Sequence, residues 1–320
     1  MAASLLALPP VSDAQPAKVP RVGFLLANSA SNPQVQRALD VFRQTLRELG
    51  YVEGQSIAIE YRSAEGKPER LPELAAELVR SKVDVIVTGG GGPPAQAAQR
   101  ATRVIPIVMS GVADPVAAGL VTSLARPGAN ITGPTGISDQ LMGKQLELLR
   151  EMVPKVTRVS VLWNPTNPGN IHQLREAEKA AGALGMRLHP VEVRRPGDVD
   201  TAFVAIKGQR AEALLVLLDV ISYEQREKIA DLAAQSRLPA VYGHSAFAEA
   251  GGLMSYAANS SDGPRGSAIY VDKILKGAKP ADLPVEQPTR FELALNLRTA
   301  KALGITIPPS VLLRADQRME

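Results

Sequence analysis

The chain alternates strand-like and helix-like segments. From residue 21 the β-rich run RVGFLLA is followed by a pattern of apolar residues at helical spacing that stops at Gly50. Further strands are indicated near 56–62, 83–89 and 105–111, with helices near 71–82 and 93–102. Strands that alternate with helices of this length predict a parallel sheet covered by helices on both faces.

The same order of elements restarts at residue 158. RVSVLWNPTNP resembles RVGFLLANSASNP, and the Asn-Pro pairs at 32–33 and 167–168 stand equally far before the Leu-Gly pairs at 49–50 and 184–185. The repeat predicts an α/β protein with two Rossmann-like lobes built on parallel sheets. In such sheets ligands bind outside the carboxyl ends of the strands, so two facing lobes would enclose a cleft that closes on a small solute.

The expected lobes are not continuous in sequence. We expect a leader at 1–19, lobe 1 at 20–133 plus about 262–288, and lobe 2 at 134–261 plus about 289–320. Extended segments near 131–137, 253–258 and 286–293 are the expected three crossings of a hinge between the lobes.

The stretch VTGGGGPPAQAA, residues 87–98, joins the third strand to the third helix. It lacks the lysine and hydroxyl of a P-loop, and its glycines do not have the spacing or position of a dinucleotide fingerprint. Glycines permit close approach of the backbone, and amides at a helix N-terminus suit a carboxylate or carbonyl. The alternative is a plain flexible connection between strand and helix.

Composition excludes several classes of protein. With 320 residues, 45% of them hydrophobic, the chain can bury the cores of two domains. The net charge is +4, but basic and acidic residues are interleaved, so we expect no nucleic acid partner. The absence of cysteine excludes disulfides, thiolate nucleophiles and a lipid-modified cysteine. The three histidines show no ligand spacing, so neither a metal nor a cofactor is expected.

Residues 1–18 contain the apolar run AASLLALPPV followed by Ser12-Asp13-Ala14, a small-x-small site of the kind that signal peptidase cuts. This leader resembles the end of a secretory signal without its positive start, and the alternative is a disordered leader with no targeting role. No other segment has the ~18 consecutive apolar residues needed to span a membrane. We therefore expect a soluble, periplasmic mature protein without a lipid anchor.

The chain resembles the ABC-transporter substrate-binding proteins of the class with tryptophan- and phenylalanine-binding members, which have the type I periplasmic-binding-protein fold. Five stretches carry the resemblance, and they cover nearly everything from 20 to 317: residues 42–90, 105–133, 144–168, 250–262 and 274–316. The resemblance implies an extracytoplasmic receptor that captures a small organic solute, either an amino acid or an aromatic or carboxylate compound. It implies delivery to an ABC permease without catalysis, and we expect a monomer.

The sequence also departs from that pattern. Amino-acid-binding members carry an Asp-Asn pair where this chain reads Asp219-Val220, and an acidic residue where it reads SYAANSSD. A ligand-sensing module of the same fold in signalling or regulation is the alternative function, but only about 20 residues precede the first strand, too few for a helix-turn-helix unit. An enzyme is a third alternative, and no nucleophile elbow, nucleotide fingerprint or acid-base cluster supports it.

Candidate ligand contacts follow from the strand ends. Lobe 1 contributes Asn28, Ser29, Gly90, Gly91, Gly92, Ser110 and Asp114, and lobe 2 contributes Trp163, Asn164, Asp219, Tyr223, His244 and Phe247.

Several candidates also have a structural interpretation. Asp114 can cap a helix, Trp163 and Tyr223 can be core residues or stacking walls, and His244 can be structural. Asp219 is expected to gain a partner when the cleft closes: a ligand ammonium, a ligand hydroxyl or a nearby cation. The glycine amides opposite it would hold the anionic end of the solute, and together they would fit a zwitterion. The alternative role of Asp219 is to cap a helix that begins near Ser222, in which case the carboxylate is already satisfied.

Overall fold

A computed structural model describes residues 19–112, 114–136 and 139–320. The predicted leader at 1–19 falls almost wholly outside the described residues. The strands are β1 Arg21–Leu26, β2 Ala58–Ser63, β3 Val85–Gly89, β4 Ile107–Met109, β5 Ile131–Thr132, β6 Arg158–Trp163, β7 Arg187–Glu192, β8 Ala213–Val216, β9 Ala240–Tyr242, β10 Met254–Ala258, β11 Phe291–Asn296 and β12 Gln317–Met319.

The helices are α1 Pro33–Glu48, α2 Leu71–Arg80, α3 Gly92–Ala101, α4 Asp139–Met152, α5 Pro168–Ala183, α6 Val199–Gly208, α7 Val220–Glu224, α8 Arg226–Gln235, α9 Ser245–Glu249, α10 Asp262–Leu275, α11 Leu297–Leu303 and α12 Pro309–Arg314. Among the described residues, no helix is both long enough and apolar enough to cross a bilayer.

Two sheets organise the described chain. The first, here called lobe 1 with its helices, has the order β2-β1-β3-β4-β5 with every pairing parallel. The second, lobe 2, has the order β12-β11-β10-β9-β8-β6-β7, parallel except where β11 runs antiparallel to β10. The predicted fold class, two α/β lobes with parallel sheets, is confirmed.

Each sheet is covered on both faces because its strands are apolar on both sides. In β1, Leu25 packs with α2 and α3, while Phe24 packs with α1 and α10 on the other face. In β6, Val161 packs with α4 and α5, while Leu162 packs with α6 and α8. Successive side chains of a strand point to opposite faces, so a doubly covered sheet needs continuous apolar runs of this kind.

The sequence repeat appears as two matched helix starts. Asn32 caps α1 by accepting a hydrogen bond from the Gln34 amide at 2.9 Å, and Asn167 caps α5 by accepting one from the Gly169 amide at 3.0 Å. In both helices a proline follows the cap, where its missing N–H is harmless.

The crossings between the sheets differ from the prediction. The segment at 253–258 is predicted to cross, yet Met254–Ala258 is a paired strand inside lobe 2. Of the predicted crossing at 286–293, only the last three residues lie in the paired strand Phe291–Asn296. The chain changes sheet near 259–261 and 287–290, and α10 between these points packs against α1 of lobe 1. Composition indicated extended backbone but not its pairing partner. The residue ranges assigned to the lobes stay a prediction.

Candidate functional site

A cavity of about 840 Å³ lies between the two lobes. Its walls come from the carboxyl ends of β1, β3 and β4 in lobe 1, from those of β8 and β9 in lobe 2, and from the segments that connect the lobes. This volume lies within the range of about 300–1,000 Å³ that is usual for small-molecule sites.

The structure brings most of the predicted contact residues to this cavity. Those lining it are Asn28, Gly90, Gly91, Gly92, Ser110, Asp114, Asp219, Tyr223 and His244. Ser29, Trp163, Asn164 and Phe247 do not line it, and each has another environment.

Trp163 and Phe247 belong to the packing of lobe 2. Trp163 ends β6 on the same face as Val161, so strand alternation turns its ring onto the cluster beneath α4 and α5. Phe247 is fully buried and stacks on Tyr242 with ring centroids 4.7 Å apart. The expectation that either ring forms a wall of the cleft is corrected: a strand end does not decide which face a side chain takes.

Ser29 and Asn164 serve the surroundings of the cleft. The Ser29 amide donates to Glu224 Oε1 at 3.1 Å, which joins the β1–α1 loop to helix α7 of the other lobe. Asn164 is buried, and its Oδ1 accepts from the amide and the hydroxyl of Thr166. Both residues therefore position loops instead of facing the large cavity.

The glycine stretch opens helix α3 without a side-chain cap. Its N-cap is Gly91, no side chain accepts from the first turn, and the amides of Gly90, Gly91 and Gly92 have no hydrogen-bond acceptor among the described residues. Gly90 has φ +96°, and a Cβ there would lie 2.7 Å from the Ala27 Cβ and 2.8 Å from Asn28 Oδ1. Backbone donors and the Asn28 amide thus lie side by side, which only glycine at 90 permits.

Asp219 is a helix cap, which corrects its predicted role as an unpaired carboxylate. Its Oδ1 accepts from the Ile221 amide at 2.7 Å at the start of α7. Its Oδ2 accepts from the side-chain amides of Asn164 at 3.1 Å and Asn167 at 3.2 Å. The carboxylate lines the cavity, but its charge is already satisfied by these three donors.

His244 and Tyr223 form an aromatic corner of the cavity in lobe 2. Their rings meet edge to face with centroids 5.2 Å apart. His244 Nδ1 accepts from the Ala246 amide at 3.1 Å and caps α9, which leaves its proton on Nε2. Burial lowers the pKa of His244 to about 4, so the ring is neutral at physiological pH. Burial raises the pKa of Tyr223 to about 12.

The lobes touch each other beside the cavity. Arg37 and Gln34 of α1 donate to Glu249 of α9 at 2.9 and 3.0 Å. At another point Asp114 Oδ2 lies 3.4 Å from His172 Nε2 of α5, while its Oδ1 accepts from the amides of Val116 and Ala117. Asp114 therefore caps a turn at 115–119, where the alternative above expected a helix, and it also forms a contact between lobes.

Three buried polar atoms of cavity-lining residues have no partner among the described residues: Asn28 Nδ2, Gln34 Oε1 and Gln145 Oε1. The sequence predicted Asn28 and missed Gln145. The available signal was the spacing of Met142, Gln145 and Leu149, which places one polar residue on the apolar face of α4.

No group of three or more histidine or acidic side chains suited to a metal occurs in the described part of the chain. The fold and the cleft define a two-lobed solute-binding protein. The family model described as ABC transporter substrate binding protein matches residues 26–319, and the chain belongs to this family. The predicted resemblance is confirmed.

Relatives and solved structures give the same class. The chain is 27% identical over 282 residues to a tyrosine-binding protein of Clostridioides difficile, covering 88% of this chain and 80% of the relative. It is similar to an ABC domain of Streptococcus pneumoniae in complex with L-Trp, with 27% identity, a TM-score of 0.88, and coverage of 94% of this chain and 99% of the other. These neighbours have the type I periplasmic-binding-protein architecture.

A third comparison bears on conformation. The ligand-free, open structure of a substrate-binding protein with adhesive properties from Clostridium difficile is 25% identical, covers 94% of this chain and 99% of its own, and gives a TM-score of 0.70. The complex with L-Trp is nearly as distant in sequence but gives 0.88. The present structure is thus more similar in shape to the complex with L-Trp than to the open structure.

Replacing Gly90 with alanine tests the glycine cluster. A Cβ at φ +96° is strained and would displace Asn28, so we expect a loss of about 1–3 kcal/mol in unfolding free energy and loss of solute binding. The control is Gly92→Ala, since no atom lies within 4 Å of a Cβ there. Thermal unfolding and calorimetry measure both effects, and equal behaviour of the two variants would contradict the assignment.

Asp219→Asn tests the cap. The new amide would point a donor at Asn164 and Asn167 or at the Ile221 amide, leaving buried donors unpaired. We expect the unfolding free energy in urea to fall by about 1–3 kcal/mol. The control is Asp200→Asn, which makes the same change of charge at an exposed ion pair. If Asp219→Asn is as stable as the control and loses only solute affinity, Asp219 is a ligand contact and not chiefly a cap.

The lowered pKa of His244 leads us to expect that the stability of the protein depends on pH. Its pKa is near 4 when folded and about 6.5 when unfolded, so the unfolded chain takes up a proton first as the pH falls. Stability is therefore complete above about pH 6.5 and declines toward pH 4, with a loss of about 2 kcal/mol between pH 7 and pH 5. His244→Asn keeps a capping oxygen but does not titrate. An equal decline in wild type and variant, measured by urea unfolding, would show that other groups cause it.

Proposed function

We propose that this substrate-binding protein captures an aromatic amino acid in the interlobe cleft and delivers it to an ABC permease. The observation that carries the proposal is a cavity of about 840 Å³ between the lobes that presents unpaired hydrogen-bond donors from lobe 1 beside an aromatic corner from lobe 2. The tyrosine-binding relative and the neighbour with L-Trp support the same ligand class.

The carboxylate of the solute binds at the start of α3. The amides of Gly90 to Gly92 and the Asn28 side chain offer donors there, and the positive end of the helix dipole favours an anion. In a closed cleft a carboxylate loses its hydration and needs such donors in exchange.

The side chain of the solute lies toward lobe 2. Tyr223 and His244 present ring edges and faces, and Leu218 and Met142 add apolar surface to the cavity wall. The His244 Nε2–H supplies one donor that stays neutral across physiological pH. Aromatic rings favour edge-to-face and offset contacts of this kind, which suits an aromatic side chain better than an aliphatic one.

The remaining features of the proposal follow from the family. Substrate-binding proteins of ABC systems work outside the cytoplasm, which supports a periplasmic location reached through the leader at 1–19 as a signal peptide. We further propose that the protein acts as a monomer without catalysis, and that the lobes are divided at the residue ranges that the sequence predicts. All the predicted contact residues that line the cavity are proposed ligand contacts except Asp219, whose part is structural.

A ligand screen tests the proposal. Purified protein, unfolded and refolded to remove co-purifying solute, is titrated with L-tryptophan, L-tyrosine and L-phenylalanine, with benzoate and glucose as controls. A cognate amino acid at a hundredfold excess over its Kd should raise the unfolding free energy by about 2.7 kcal/mol. If none of the three binds by calorimetry and none is released from the protein as purified, the ligand class is wrong.

A further inference from the structure

Gln145 has an unusual environment for a polar side chain. It lies in the middle of α4, is fully buried, and lines the cleft. Its Nε2 donates to the Tyr256 carbonyl at 2.8 Å, while its Oε1 is buried without a partner among the described residues. A buried acceptor left without a partner costs free energy, so such a group points to a missing donor.

The orientation of this amide follows from its single hydrogen bond. A carbonyl can only accept, so the Tyr256 oxygen must face the NH₂ end of Gln145 and the amide oxygen is left over. Gln145 Nε2 lies 3.9 Å from the position that a Cβ on Gly243 would take, which places the amide at the carboxyl end of β9, next to His244. Gln145 thus lines the cavity on the side of lobe 2, and its unpaired oxygen belongs to this buried amide.

The anionic side chains around the cleft are already engaged. Each cavity-lining carboxylate in the described residues forms an ion pair or accepts hydrogen bonds from the protein: Asp40, Asp114, Asp219, Glu249, Asp262 and Glu286. Gln34 Oε1 also lacks a partner, but Gln34 is only half-buried and belongs to the contact between lobes through Glu249. Gln145 Oε1 is the wholly buried acceptor.

We propose that Gln145 accepts a hydrogen bond from the ammonium group of the bound solute and makes an amine a requirement for tight binding. The inference rests on the proposed function, since the solute must be an amino acid. An ammonium that enters a closed cleft must find acceptors, and Gln145 must find a donor, so each satisfies the other. The site then selects a zwitterion by oriented dipoles: amide donors for the carboxylate and an amide oxygen for the ammonium.

The test compares solutes that differ only in the amine. L-tryptophan is measured against indolepropionate and L-tyrosine against hydroxyphenylpropionate, by calorimetry on wild type and on Gln145→Met. We expect the variant to lose about 10- to 100-fold in affinity for the amino acids and little for the acids without the amine. A purely structural role for Gln145 would weaken both members of each pair equally.

Two further variants keep the outcome decisive. Gln145→Glu retains an acceptor oxygen, so it should keep the preference for the amine even if Gln145→Met does not fold. Gln34→Met removes the other unpaired glutamine oxygen and should leave the preference as in wild type.

If wild type binds neither amino acid, the proposed function fails and this inference with it. If wild type binds one of the amino acids, the proposed function stands and the inference is tested alone. It is overturned if the preference for the amine survives in Gln145→Met or is lost in Gln145→Glu. It is also overturned if the preference disappears in Gln34→Met instead.

Discussion

The orphan amides at helix N-termini are the constraint on which this cleft depends. Parallel strands end at the same edge of a sheet, so every helix that follows such a strand presents unpaired N–H groups there. In most of these helices a side chain accepts a hydrogen bond from an amide of the first turn: Asn32 caps α1, Asn167 caps α5, Asp219 caps α7 and His244 caps α9. Helix α3 begins with glycines and receives no side-chain cap, so its donors remain available to a solute.

The same constraint explains why Asp219 lines the cleft with a carboxylate that is already engaged. Asp219 stands where the repeat places an equivalent of the glycine stretch, but its side chain turns back onto the Ile221 amide and also receives Asn164 and Asn167. The two lobes therefore use the same strand end differently. In lobe 1 the amides at the start of α3 have no side-chain cap. In lobe 2 the amides at the start of α7 are capped by Asp219, and the cavity wall there carries the rings of Tyr223 and His244 and the neutral amide of Gln145.

The sequence predicted the lobes well and the site only in part. Hydrophobic periodicity and the internal repeat each draw on many residues, so a deviation at one position does not hide them. The strands, the helices and the matched helix starts at Asn32 and Asn167 could therefore be predicted from the sequence. A single side chain has no such redundancy. Trp163 and Phe247 follow strands as expected but point into the core, and Gln145 lies on a helix far along the chain from the strand ends. Which residues face a cavity depends on packing between elements, and local pattern does not encode it.

The energetics of closure follow from how the charges are arranged. The Arg37–Glu249 pair joins the lobes, yet its side chains remain 59% and 38% exposed, and exposed pairs of this kind contribute about 0–1 kcal/mol. Such contacts orient the two lobes relative to each other but add little free energy to their association. Meanwhile Asn28 Nδ2 and Gln145 Oε1 are buried without a partner, a cost that opposes closing an empty cleft. The zwitterion proposed above would pair with both groups and offset this cost, so the bound solute would itself supply the free energy that closes the lobes.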